Sequence, residues 1–131
     1  MEKNVKFSVV TICYNVKDEL KRTLRSLWAQ TYGSTGADLA GDCGGYESIV
    51  VDGGSSDGTA AFLRREKRIA RYVSEPDRGV YDAMNKGLRL CRGDFVIFMN
   101  AGDEFFNSRV LERAAEGFFA SASASRLFFQ A

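Results

Sequence analysis

Residues 46–59 read YESIVVDGGSSDGT, a β-branched apolar run that breaks into a glycine-rich polar turn. The run predicts a buried strand over 46–52. Gly53-Gly54-Ser55-Ser56-Asp57-Gly58 predicts the turn that ends it. A helix over about 59–68 should follow, with Asp57 or Ser56 near its cap. The same order recurs on either side. Upstream, residues 7–14 (FSVVTICY) predict a strand and Asn15 a cap. Residues 16–30 then predict a helix with Leu20, Leu24, Leu27 and Trp28 on one face. Gly33, Gly36, Gly41, Gly44 and Gly45 mark a long loop between these two units. Downstream, 69–74 predict a short strand closed by Glu75-Pro76. Val80, Ala83, Met84, Gly87, Leu88 and Cys91 predict an amphipathic helix, ended by Gly93. Residues 95–99 predict a fourth strand and 110–119 a last helix.

Strands alternating with helices predict an α/β fold, a mostly parallel sheet flanked by helices. Residues 1–120 read as one domain, and 121–131 as a tail for which no element is predicted. In such a sheet, ligands bind at the carboxyl ends of the strands. The polar segments fall there: Tyr14-Asn15, Asp52 to Gly58, Glu75 to Gly79, and Asn100 to Asp103. Four stretches distant in the chain are thus expected to converge on one edge.

Composition narrows the chemistry. The 131 residues carry 18 Lys or Arg against 17 Asp or Glu, a net charge of +1. That balance lacks the basic excess of a nucleic-acid binder, so no nucleic-acid partner is expected. No apolar run approaches the length of a membrane span. The opening residues are polar and lead into a strand, so a cytoplasmic protein is expected. Cys13, Cys43 and Cys91 are odd in number and lack CxxC spacing, which predicts neither a disulfide framework nor a zinc site. The chain has no histidine. Histidine-based triads, HExxH zinc sites and imidazole acid–base catalysis are excluded together. What remains is carboxylate, Lys or Arg, backbone dipoles, or a hard metal on oxygen ligands.

Individual residues keep two readings each. Asp52 either accepts a hydrogen bond from a nucleotide base or ribose, or organises its own turn. Asp57, before a helix, reads as a cap. Asp103 either holds Mg²⁺ or Mn²⁺ together with diphosphate oxygens and water, or is a solvated loop aspartate. Lys86 either neutralises a phosphate or is a surface lysine. Asp77 and Asp82 either bond sugar hydroxyls or place negative charge in a helix's first turn, and Tyr81 either stacks on a ligand or packs in the core.

Four ordered stretches carry a resemblance. Phe7 to Asn15 (FSVVTICYN) and Ile49 to Thr59 (IVVDGGSSDGT) resemble the opening of family 2 glycosyltransferases of the GT-A fold. Ser74 to Gly87 (SEPDRGVYDAMNKG) and Phe98 to Phe106 (FMNAGDEFF) resemble the bacterial exopolysaccharide branch, including colanic-acid-type enzymes. Four motifs in order are far more specific than one. The resemblance implies the nucleotide-binding half of a GT-A, Rossmann-like fold and transfer of a sugar, with inversion, in bacterial polysaccharide biosynthesis. The donor would be a nucleoside-diphosphate sugar, UDP favoured, and the acceptor a saccharide or lipid-linked saccharide. It implies that Thr11 and Tyr14 line the nucleotide pocket and that Asp52 bonds the base. Asp77, Asn85 and Lys86 would contact the donor, and Asp103 would bind Mn²⁺ or Mg²⁺.

The sequence also departs from the family pattern. Asn100-Ala101-Gly102-Asp103 stands where many relatives have Asp-x-Asp-Asp, and Met84 where many have a phosphate-binding arginine. The family's catalytic base comes from the second half of the fold, so a truncated chain lacking the base is expected. With the fold half built, an exposed sheet edge and the Phe118-Phe119 helix face predict a homo-oligomer. A peripheral place at the inner membrane face is consistent with a lipid-linked acceptor. A non-catalytic nucleotide-binding module is the alternative reading; an NAD-type oxidoreductase is weakened because no GxGxxG follows the first strand.

Overall fold

The computed structural model describes residues 6–33, 45–120 and 128–130. Cys43, the loop glycines 36, 41 and 44, residues 121–127 and the side chains of Phe118 and Phe119 lie outside the described residues. The elements run β1 (Lys6–Cys13), α1 (Lys17–Trp28), β2 (Gly45–Asp52), α2 (Thr59–Arg65), β3 (Arg71–Ser74), α3 (Val80–Leu90), β4 (Phe95–Asn100), α4 (Val110–Ala120) and β5 (Phe128–Gln130). The strands form one sheet in the order β3-β2-β1-β4-β5, every pair parallel. The α/β reading stands, with one addition: the stretch 121–131, where no element is predicted, contributes β5 beside β4.

β1 is central and covered on both faces, which explains its nearly unbroken apolar sequence. One face turns Phe7, Val9 and Cys13 toward α1, α2 and α4, where Leu20, Leu24, Leu27, Leu63 and Leu111 pack. Leu20, Leu24 and Leu27 are fully buried, each stabilising the fold by about 1.5–3 kcal/mol. The other face turns Val10 toward α3, where it meets Ala83 with Ile49, Val51 and Phe98. Gly87 allows this helix to lie close. A Cβ there would sit 2.5 Å from Val10 Cγ1 and 3.3 Å from Val51 Cγ2.

Two cation–π contacts knit α1 to α2 and the segment after it: Lys21 Nζ lies 5.2 Å from the Phe62 ring centroid, and the Arg68 guanidinium 3.8 Å from that of Trp28. At the amino ends of the strands a buried polar node ties the sheet to the α3–β4 connection. Glu47, 2% exposed, accepts hydrogen bonds from Ser8 Oγ at 2.6 Å and Arg92 N at 2.7 Å, and pairs with the Arg71 guanidinium. Arg71 Nε in turn donates to Leu90 O at 2.8 Å, and Gly93 N to Ser8 Oγ at 2.8 Å. Among the described residues, no helix is long and apolar enough to cross a membrane.

Candidate functional site

The sheet reverses its order between β1 and β4: β2 and β3 extend to one side of β1, β4 and β5 to the other. A doubly wound sheet opens its ligand crevice at such a switch point, outside the carboxyl ends of the strands. A cleft of ≈ 320 Å³ lies there. Ile12, Cys13, Tyr14 and Val16 come to it from the β1 end, Asn100 and Ala101 from the β4 end, and Asp77, Gly79, Val80 and Ala83 from the start of α3. The walls are mostly apolar.

The loops around the cleft are stitched together. Asn15, expected to cap α1, does not: its φ of 54° carries the chain through a left-handed turn, and α1 begins without a side-chain cap from its own N-cap residue. Instead Asn15 Oδ1 accepts Ser56 N at 2.8 Å, while Asn15 N donates to Ser55 Oγ at 2.7 Å. Asp57 supplies the missing cap from another loop. Its Oδ2 accepts Lys17 N at 2.9 Å, and its Oδ1 accepts Thr59 N at 3.2 Å, so one carboxylate serves the starts of two helices. The Thr59 hydroxyl, above all, holds the Asp57 carboxyl below the usual carboxylate range. Because the folded pKa is lowered, Asp57's contribution is in place above the unfolded carboxyl range and lost as pH falls through the folded value. Asp57→Ala should therefore cost about 2 kcal/mol at neutral pH, the upper end for a cap. Urea titrations should show the gap to the parent closing at acid pH, and a gap that persists there would refute the assignment.

Asp52 proves to be the organiser of its turn. It is fully buried: Oδ2 accepts Ser55 N at 3.1 Å and Ser74 Oγ at 2.7 Å, and Oδ1 accepts the Ser55 hydroxyl. The Cys13 thiol also points at Oδ1, 3.6 Å away, and burial followed by the Asp52 charge pushes its pKa up, so it stays protonated. Both carboxylate oxygens are thus engaged within the fold, as the turn-organising reading expects. Thr11, expected to line the nucleotide pocket, is fully buried in β1, and its hydroxyl has no partner among the described residues.

Tyr14 and Asp77 do meet at the cleft. Tyr14 is 61% exposed. Asp77 spends Oδ1 on Gly79 N at 3.0 Å, which shapes the entry to α3. Gly53 separates the two: a Cβ at this position would fall 2.9 Å from Asp77 Oδ2 and 3.3 Å from Tyr14 Cδ1. Gly54 is pressed similarly, its Cβ position 3.1 Å from Pro76 N.

Lys86 is engaged rather than free. Its Nζ lies 2.9 Å from Glu75 Oε2, 2.9 Å from Pro76 O and 3.6 Å from Asp82 Oδ2. The Glu75 contact, first among these, raises its pKa. Asp82 accepts Arg78 N at 2.9 Å, which lowers its own pKa and fits the first-turn role. Asn85 sits on the exposed side of α3, away from the cleft lining. Tyr81 is 82% exposed, so it does not pack in the core, whereas Met84 packs against the core cluster under α3.

Asp103 stands just past the cleft floor. Its turn is closed by Asp103 N to Asn100 O at 2.9 Å and by Asn100 N to Asp103 Oδ2 at 3.0 Å. Thr23 and Ser26 of α1 accept Gly102 N at 2.8 Å and Phe105 N at 3.2 Å, fixing the turn on that helix. Among the described residues, no three His, Cys, Asp or Glu side chains gather into a metal cage. One half-buried carboxylate whose second oxygen has no hydrogen bond among the described residues fits an ion held mainly by phosphate and water, not a protein-only site. Sequence reading took Val80 and Ala83 only as the packing face of a helix. Both also line the cleft, and their place at the first turn after a glycine-closed loop is the signal that could have shown it.

Residues 8–125 match the profile of Glycosyl transferase family 2. The chain belongs to this family. It is 38% identical over 122 residues to an uncharacterized glycosyltransferase of Mycobacterium tuberculosis (strain CDC 1551 / Oshkosh), covering 92% of this chain and 43% of that protein. It is 34% identical over 116 residues to a PGL/p-HBAD biosynthesis glycosyltransferase of Mycobacterium bovis (strain BCG / Pasteur 1173P2), covering 83% and 40%. The chain thus spans less than half the length of these relatives. Among solved structures, Staphylococcus aureus TarS 1–349 in complex with UDP-GlcNAc superimposes with a TM-score of 0.72 at 25% identity, over 88% of this chain and 31% of that one. The mannosyltransferase PcManGT of Pyrobaculum calidifontis, in complex with GDP-Man and Mn²⁺, gives 0.65 at 26% identity, over 80% and 30%. The family 2 sheet seen here is the corresponding part of the GT-A fold.

Proposed function

We propose that the cleft is the donor site of an inverting glycosyltransferase that moves a sugar from a nucleoside-diphosphate sugar, UDP favoured, to a saccharide or lipid-linked saccharide. The setting would be bacterial polysaccharide biosynthesis, of the exopolysaccharide type to which the two later motifs point, in the cytoplasm or at the inner membrane face. The observation that carries this reading is the position of the cleft, at the switch point between β1 and β4, in a family 2 chain. Solved proteins of like fold hold UDP-GlcNAc or GDP-Man, which supports a nucleotide sugar as ligand.

Tyr14 and Asp77 contact the donor directly, while Asp52 and Thr11 act beneath them. Asp103 would hold Mn²⁺ or Mg²⁺ together with donor phosphate oxygens and water. The ion, when bound, supplies Lewis-acid charge to the departing nucleoside diphosphate. Lys86 reaches a phosphate only by giving up Glu75 and Pro76. No general base is assigned among the described residues; Glu104, beside Asp103, is exposed.

Thermal unfolding with UDP, with Mn²⁺ and with both tests the reading. A ligand that binds only the folded state stabilises it by about 2.7 kcal/mol at a hundredfold excess over Kd. The expected result is a stabilisation that needs nucleotide and metal together and disappears in Asp103→Ala. A cooperative transition unmoved by UDP, GDP and the other nucleoside diphosphates, with metal present, would refute it.

A further inference from the structure

We propose that Asp77, with Tyr14, selects the base of the nucleotide, taking heterocycles that present a ring N–H donor (uracil or guanine) over those that present a ring acceptor (cytosine or adenine). The inference rests on the donor-site reading and adds to it the residue that chooses the base. Asp52, the aspartate expected to meet the base, is fully buried and held by Ser55 and Ser74. Asp77 is the carboxylate that lines the cleft. Its two oxygens have separate employment. Oδ1 is fixed by Gly79 N, and Oδ2 stands over Gly53, in the space a side chain at that position would need.

The surroundings argue for a flat heterocycle. Ile12, Val16, Val80 and Ala83 make the lining apolar, and Asp77 and Asn100 are its main polar side chains besides Tyr14. A hexose would leave most of its hydroxyls unpaired against such walls. A phosphate would be repelled by the Asp77 charge. An aromatic base can lie beside the Tyr14 ring and give one N–H to Oδ2. A carboxylate accepts and cannot donate, so a ring nitrogen with a lone pair at that point is disfavoured.

The test is the affinity of the full chain for UDP, GDP, CDP and ADP, each with Mn²⁺, by calorimetric titration, in the parent and in Asp77→Asn. The substitution keeps an oxygen for Gly79 N and turns the other oxygen into an NH₂ donor. The parent should bind UDP or GDP at least about tenfold more tightly than CDP or ADP, the size expected for one hydrogen bond to a charged group. In Asp77→Asn that preference should close, with UDP weakened about tenfold and CDP undiminished. A parent that binds UDP no better than CDP overturns the inference, as does a variant that keeps the parent's ranking; the donor-site reading survives both. A parent that binds none of the four refutes the donor-site reading, and this inference with it.

Discussion

Glu47→Ala is expected to destabilise the folded chain by about 3–5 kcal/mol, the range for removing one partner of a buried ion pair. Three donors converge on this carboxylate: the Ser8 hydroxyl, the Arg92 N–H and the Arg71 guanidinium. Truncation leaves them facing a cavity, with a cation of side-chain exposure 23% lacking its counter-charge. The loss should register in chemical denaturation as a lower midpoint with an unchanged slope. Glu47→Gln keeps the shape and most of the hydrogen bonds, so it should cost less. A Glu47→Ala chain as stable as the parent would mean that water solvates the node. The node lies at the amino ends of the strands, opposite the cleft, so the effect concerns stability and not ligand binding.

Asp52→Ala comes second, at about 2–4 kcal/mol, for buried donors left without an acceptor. Ser55 loses partners for both its N–H and its hydroxyl, and Ser74 loses one for its hydroxyl. The position of the loss distinguishes the two roles open to this aspartate. An organiser of the turn lowers the stability of the ligand-free chain. A residue that only touches the nucleotide leaves ligand-free stability alone and weakens binding. Denaturation in the absence of nucleotide therefore decides, and an Asp52→Ala chain of unchanged ligand-free stability would restore the direct contact.

The strand-and-helix order was legible because its signals are local. Leu20, Leu24 and Leu27 mark a helical stripe wherever that helix packs, and the run from Ile49 to Val51 reads as a buried strand from its own composition. The convergence of four loops on one edge followed from the parallel topology alone. Individual roles were harder, since they depend on partners far away in sequence. Asp52 is claimed by Ser74, 22 positions on, and Lys17 is capped by Asp57, 40 positions on. No local pattern announces either bond. Asn15 has the composition of a cap, yet its backbone turns left-handed and its side chain crosses to Ser56. Lys86 looks like a free cation until Glu75 and Pro76 fold back over it. Glu47 is the instructive omission. A charged residue one step into a strand otherwise read as buried needs a partner, and a basic residue at the start of the neighbouring strand, Arg71, provides it.

The contact of Gly53 and Gly54 with Pro76 and Asp77 has a bearing on how this family diverges. Two loops separated by more than twenty residues share one volume, since a side chain at 53 or 54 would enter space that 76 and 77 already fill. At 54 the obstacle is the Pro76 backbone, and at 53 it is the Asp77 carboxylate, the far end of a side chain that can turn aside. A carboxylate in place of Gly53 would need the side chain at 77 to be smaller or to turn away. The acceptor in the cleft would then have migrated from one loop to the other without leaving its place in space. Paired substitution at 53 and 77 is the signature such an exchange would leave among descendants of a common ancestor.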